Sequence, residues 1–207
     1  MLYTSKEQLL KRNMHLDELE PGHYYVLISN QYITCFAQIL SRADDYYTAN
    51  CLYGHHSAKM FYFHYYFGAY TRAVEIPASV FNQAVALYKD CKKDILSLEF
   101  DKEETKGIDK TCQYYYMTNT TDGAVSFGKI SQDDPKTLVV VDIGMYIDTV
   151  TTNFIEISDL LPDLLYYRID AKIFEKVQKL HDVLEHTLAV LFLKYINKNI
   201  DPQSISP

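Results

Sequence analysis

One phrase occurs twice in this chain, and a chain that repeats itself is constrained to be built twice. Ile76-Pro77-Ala78-Ser79-Val80-Phe81 closes a β-patterned stretch and opens an apolar-periodic run through Ala84, Leu87, Cys91 and Ile95. Ile169-Asp170-Ala171-Lys172-Ile173-Phe174 does the same ahead of Val177, Leu180 and Leu184. Earlier blocks agree. Shifted by 91 residues, Tyr24-Tyr25 falls on Tyr115-Tyr116, and Phe36-Ala37-Gln38-Ile39 on Phe127-Gly128-Lys129-Ile130. Shifted by 93, Ile76, Ala78, Phe81 and Leu87 fall on Ile169, Ala171, Phe174 and Leu180. Three blocks in one order at nearly one offset point to a duplicated unit.

Each copy reads as a run of strands closed by a helix. Tyr24–Ile28, Tyr32–Leu40, Tyr46–Tyr53, Met60–Phe67 and Tyr70–Ile76 carry aromatic and β-branched runs separated by turn residues. Pro77 ends the last of them and suits the entry to a helix over Ala78–Leu98, since its fixed φ and missing N–H are tolerated in a first helical turn. The second copy gives strands at Tyr114–Thr118, Ala124–Ile130, Leu138–Ile143, Tyr146–Ile157 and Tyr166–Ile169, then a helix from Ala171 to Asn197. Ser158–Asp163 reads as a polar loop or single helical turn. The expected fold is α+β: two tandem small antiparallel sheets, each a meander or half-barrel, and each followed by an amphipathic helix. The divisions are 1–20, an N-terminal helical segment with a Thr4/Glu7 capping box; 21–98, the first repeat; 99–111, a charged linker; and 112–200, the second repeat.

Composition narrows the function classes. With 20 Lys and Arg against 27 Asp and Glu the net charge is −7, so the cationic body that tracks phosphates is missing and nucleic acid is disfavoured as a partner. No apolar signal core stands at the start and no apolar run approaches a membrane span. Cys35, Cys51, Cys91 and Cys112 lack CxxC spacing and read as reduced, buried thiols of a cytoplasmic protein or an assembled particle. A tight hairpin of the second and third strands would set Cys35 roughly opposite Cys51, though a disulfide there is not favoured. The 19 tyrosines without a single tryptophan favour strands with half-wet faces.

No phosphate loop, nucleophile elbow or paired nucleophile and base occurs, so no catalytic residue and no cofactor is assigned. His55, His56 and His64 lie close in sequence, with Asp44 and Asp45 in a neighbouring turn. Adjacent strand histidines point to opposite faces, however, and surface histidines are the commoner explanation. On the last helix His181, Asp182, Glu185 and His186 form HDxxEH, which resembles a ligand cluster but is more often a solvated face with i,i+4 pairs. The strand at 61–67 alternates Phe61, Phe63, Tyr65, Phe67 with Tyr62, His64, Tyr66. The first set reads as core, and the second, together with Tyr46, as a partner surface, because tyrosine is enriched at interfaces.

The leading expectation is therefore a non-catalytic structural or interaction subunit of a larger assembly, a viral particle or another multi-copy complex. Its partners would be other protein subunits or further copies of itself, bound through tyrosine-rich strand faces. The alternatives are a small-barrel ligand or nucleic-acid binder using the aromatic strand 61–67, and a metal-dependent enzyme centred on the last-helix cluster.

Overall fold

Strands form where large aromatic and β-branched residues alternate between two environments, and helices where apolar residues recur every three or four positions. The computed structural model describes residues 18–29, 32–43, 46–52, 60–62, 72–109, 111–143, 150–160 and 162–198. Its elements are β1 (Tyr24–Ser29), β2 (Tyr32–Arg42), β3 (Tyr46–Cys51), β4 (Met60–Tyr62), β5 (Arg72–Ile76) and α1 (Ala78–Leu96). They continue with β6 (Glu103–Thr105), β7 (Tyr114–Asn119), β8 (Val125–Ile130), β9 (Thr137–Ile143) and β10 (Val150–Glu156). A single 3-10 turn (Ile157–Asp159), β11 (Leu164–Arg168) and α2 (Ala171–Lys198) complete the chain order. The fold is α+β, with two antiparallel sheets, each followed in the chain by a helix. The segment 99–111 also contributes β6 to the second sheet. The expected N-terminal helix lies outside the described residues.

The two sheets share one plan. The first is ordered β4-β3-β2-β1-β5 and the second β10-β9-β8-β7-β11-β6, so β5 returns beside β1 in the one and β11 beside β7 in the other. Corresponding registers match. Tyr25 stands opposite Ala37 and Glu75, while Tyr115 stands opposite Gly128 and Arg168. This pairs Tyr25 with Tyr115, one residue away from the 91-residue alignment. The β7–β8 hairpin holds one more residue than the β1–β2 hairpin, where a bulge at Leu27/Ile28 shifts the ladder.

Side chains repeat as well. Tyr25 and Tyr115 are fully buried, and each hydroxyl reaches back to a preceding main chain, accepting the N–H of Glu20 at 3.0 Å and of Asp109 at 2.9 Å. Tyr24 meets Phe81 at 5.1 Å between ring centroids, and Tyr114 meets Phe174 at 5.8 Å, both tilted. The helices start differently at matching positions. Pro77 accepts the N–H groups of Val80 and Phe81 through its carbonyl, whereas the Asp170 carboxylate caps the N–H of Lys172 at 2.8 Å.

The chain divides into two compact units, Met1–Leu87 with Glu185–Pro207, and Tyr88–Leu184, so the cuts fall inside α1 and α2 and not in 99–111. In the first unit Leu19, Tyr25, Leu27, Cys35, Ala37, Ile39, Tyr47, Ala49, Cys51 and Ala73 form a core. In the second, Tyr115, Met117, Leu138 and Val140 are buried on one sheet face beneath Ile108, Cys112, Ile157 and Leu160. The opposite face buries Phe127, Val125, Val141 and Ile143. Cys51 pairs in register with Ala37 rather than Cys35, and all four cysteines are free. Burial pushes the Cys51 thiol well up, with the neighbouring Cys35 thiol as the second cause.

Candidate functional site

A sheet edge is chemically reactive toward other chains because its outermost strand carries main-chain donors and acceptors with no strand beyond them. Among the described residues the second sheet ends in β10 on one side and β6 on the other. β6 is three residues long and carries exposed Glu103 and Glu104, a short acidic edge that repels a like neighbour. β10 is seven residues, VTTNFIE, with one charge at its end and neither proline nor lysine.

The ladder fixes which way its main chain points. Ile157 N–H donates to the Lys136 carbonyl at 2.8 Å, one step beyond the Glu156–Thr137 pair. Thr137 bonds away from β10, its carbonyl accepting Ser131 N–H at 2.8 Å and its N–H donating to Asp134. Bonded and non-bonded pairs alternate in an antiparallel ladder, so residues 151, 153 and 155 bond to β9. The N–H and C=O groups of Val150, Thr152 and Phe154 face away from the sheet. Phe154 is also 73% exposed, the most exposed large apolar side chain among the described residues. It begins a cross-strand row through Val139 and Lys129 to Tyr114 on one face. Lys129 Nζ lies 5.8 Å from the Tyr114 ring centroid.

Two clefts lie elsewhere in this unit. One of about 330 Å³ is lined by Ile95, Leu96, Leu98, Glu99, Phe100, Lys102, Tyr116, Val125 and Phe127. Phe100, Tyr116 and Phe127 meet edge to face at 5.2 to 5.7 Å. Lys102 Nζ sits over both Tyr116 and Tyr167, at 4.7 and 4.8 Å from their ring centroids. Burial raises the Tyr116 hydroxyl above its usual range, with Tyr167 the second cause. The other cleft, about 350 Å³, runs along Glu103–Asp109 beside Arg168. There the Arg168 guanidinium is taken up by the Asp109 carboxylate.

The residues singled out from sequence fare differently. Tyr46 and Tyr62 stand opposite one another where β3 pairs with β4, beside the Tyr47–Phe61 pair whose Tyr47 is fully buried. β4 is the outer strand of the first sheet among the described residues. His64, Tyr66, His55, His56, Asp44 and Asp45 lie outside the described residues. On α2, His181 is buried on the stripe with Val177 and Leu184, whereas Asp182, Glu185 and His186 are exposed. Asp182 instead accepts a hydrogen bond from Gln178 at 3.0 Å, a helix-surface i,i+4 pair. Among the described residues no three His, Cys, Asp or Glu side chains are gathered as a metal site requires. No helix among them is long and apolar enough to cross a membrane.

Sequence reasoning did not single out Phe154, which looked like one more apolar residue of a strand. The available signal was the Thr151-Thr152-Asn153 run before it, too polar for a strand buried on both faces. Comparison of the chain with protein-family models, with curated proteins and with solved structures finds no match.

Proposed function

We propose that this chain is a non-catalytic interaction subunit of a multi-copy protein assembly, working through sheet edges and aromatic strand faces. The observation that supports the reading most is Phe154, largely exposed on a strand that is outermost in the second sheet among the described residues. The register pair of Tyr46 on β3 with Tyr62 on β4, the outer of the two strands among the described residues, supports it further. Size-exclusion chromatography with light scattering, joined to affinity capture from the native source, tests it. Assembly beyond a monomer, or stoichiometric capture of a protein that Phe154→Asp releases, is the expected result. A clean monomer that captures nothing refutes it.

A second reading, a small-ligand binder, draws on the aromatic cleft around Phe100. Its volume falls in the range of ligand sites, and its walls combine apolar and aromatic side chains with Glu99 and Lys102. Ligand-observed NMR with small aromatic acids and amines tests it. Signals lost on Leu96→Trp favour the reading, and no binder at millimolar concentration removes it.

A further inference from the structure

We propose that the cleft around Phe100 is a site for a small quaternary ammonium compound, and that Lys102 occupies it until such a ligand arrives. This rests on the small-ligand reading of that cleft and names the ligand's chemistry.

Sheet register builds the floor. Tyr167, Tyr116 and Phe127 stand opposite one another across β11, β7 and β8, so their rings form one row on one face. The Tyr116 ring lies 5.8 Å from that of Tyr167 and 5.2 Å from that of Phe127 between centroids. The stretch after α1 then crosses this row with two side chains. Phe100 meets Tyr116 and Phe127 at 5.4 and 5.7 Å, and Lys102 Nζ stands 4.7 and 4.8 Å over Tyr116 and Tyr167. The chain's own ammonium thus shows which charge these ring faces hold, since an aromatic quadrupole attracts a cation to its face.

That ammonium is lightly held. Lys102 is exposed, and among the described residues its partners are two ring faces, with no carboxylate and no hydrogen-bond acceptor. An ammonium ligand can replace it without altering the charge of the cleft. With Lys102 swung into water, Glu99 is the one charged side chain left among the described residues of the wall. Helix α1 ends there with Ile95 and Leu96 in the same wall, and the carbonyl end of a helix also favours a cation. An anion would meet both with the wrong sign. The rest of the wall selects the kind of ammonium. Leu96, Leu98, Phe100, Val125 and Phe127 offer methyl groups and rings, not side-chain acceptors. A primary ammonium gives up hydration there without replacement, whereas a quaternary one presents methyl groups and donates no hydrogen bond. The volume of about 330 Å³ admits such a head with a short tail.

The experiment titrates the full chain with choline, benzyltrimethylammonium, benzoate and the uncharged tert-butyl analogue of choline, followed by ligand-observed NMR. The two ammonium probes are expected to bind, and the neutral analogue and benzoate to stay free. Lys102→Met changes an exposed side chain and removes the internal competitor, so it is expected to tighten the ammonium probes about tenfold. Tyr167→Leu is expected to weaken them by about the same factor, with circular dichroism checking that both variants are folded. A trimethyllysine peptide titrated beside choline separates a modified chain from a free compound as the source of the head, the tighter of the two naming it. If the neutral analogue binds as well as choline, if benzoate alone binds, or if Lys102→Met fails to tighten the ammonium probes, this proposal is overturned while the small-ligand reading stands. If no probe binds either wild type or Lys102→Met at millimolar concentration, both fall.

Discussion

Removing one oxygen from each of two equivalent tyrosines separates what the duplicated units share from what they do not. Tyr115→Phe keeps the buried ring and deletes only the hydroxyl, so no cavity term enters. That hydroxyl accepts Asp109 N–H at 2.9 Å and donates toward the carbonyls of Asp109 and Cys112. The Asp109 carbonyl keeps a second partner, since Cys112 N–H also donates to it at 3.0 Å. The loss therefore falls on Asp109 N–H and on the Cys112 carbonyl. Leaving a partly buried donor without an acceptor costs about 1–3 kcal/mol, so about 2 kcal/mol is expected in all. Tyr25→Phe removes one bond, from Glu20 N–H at 3.0 Å, and is expected to cost about 1 kcal/mol. For a chain of 207 residues each kcal/mol lowers Tm by about 2–4 °C, giving a drop of about 4–8 °C for Tyr115→Phe and half that for Tyr25→Phe. Thermal and urea unfolding followed by circular dichroism measure both, and hydrogen exchange at the Asp109 amide should rise only in the first variant. If Tyr115→Phe lies within about 0.5 kcal/mol of wild type, or Tyr25→Phe is the costlier change, the hydroxyls do not pin these segments and the reasoning fails.

Three further outcomes follow from the same geometry. The two units respond to pH in opposite senses. Hydrogen bonding to Glu75 raises the His23 imidazole above its ordinary 6.5, so its contribution is full below that value and is lost as pH rises through the raised one. His23→Gln, which matches Gln113 of the second unit, should flatten urea midpoints between pH 6 and 9. Asp109 is held below its ordinary 3.8, first by the Thr111 N–H and with Arg168 assisting. Its contribution is present above that value and disappears as pH falls through the lowered one, a slope that Asp109→Asn should remove. Burial pushes the Cys91 thiol up to about 11, with Asp94 contributing second, which leaves about one part in a thousand as thiolate at pH 8. An aromatic disulfide reagent should reach it only on unfolding, and rapid native labelling mapped to Cys91 would contradict its burial. Gly128 occupies the register position held by Ala37 in the first unit, and an added Cβ would stand 2.9 Å from Met117 Cε, the free end of a flexible side chain. Gly128→Ala should therefore stay within about 1 kcal/mol of wild type by urea unfolding, and a loss beyond about 2 kcal/mol would show that Met117 cannot move.

Strand and helix identities, and the doubling of the plan, were legible in the residues alone because both are local properties. A period of two through Tyr47, Ala49 and Cys51 marks a buried strand face, and the Ile76–Phe81 phrase marks a strand-to-helix passage wherever it occurs. Even so, the alignment read from sequence was one residue off at the tyrosines. Hairpin length shifts a register without changing the pattern that announces the strands.

The candidate site belonged to the other category. Whether Val150–Glu156 lies inside the sheet or at its edge depends on which strand, if any, pairs with its far side, and no window of sequence contains that partner. Phe154 and Phe127 look alike as strand phenylalanines, yet one is 73% exposed and the other 1%; among the described residues β8 has strands on both sides and β10 on one. His181 parts company with Asp182, Glu185 and His186 for a related reason: helical spacing places side chains around an axis, and only packing decides which side of it becomes interior. Glu103–Thr105, charged enough to pass for a linker, became a strand because β11 offered it an edge. Local chemistry wrote the elements, and nonlocal pairing chose the surface they leave for a partner.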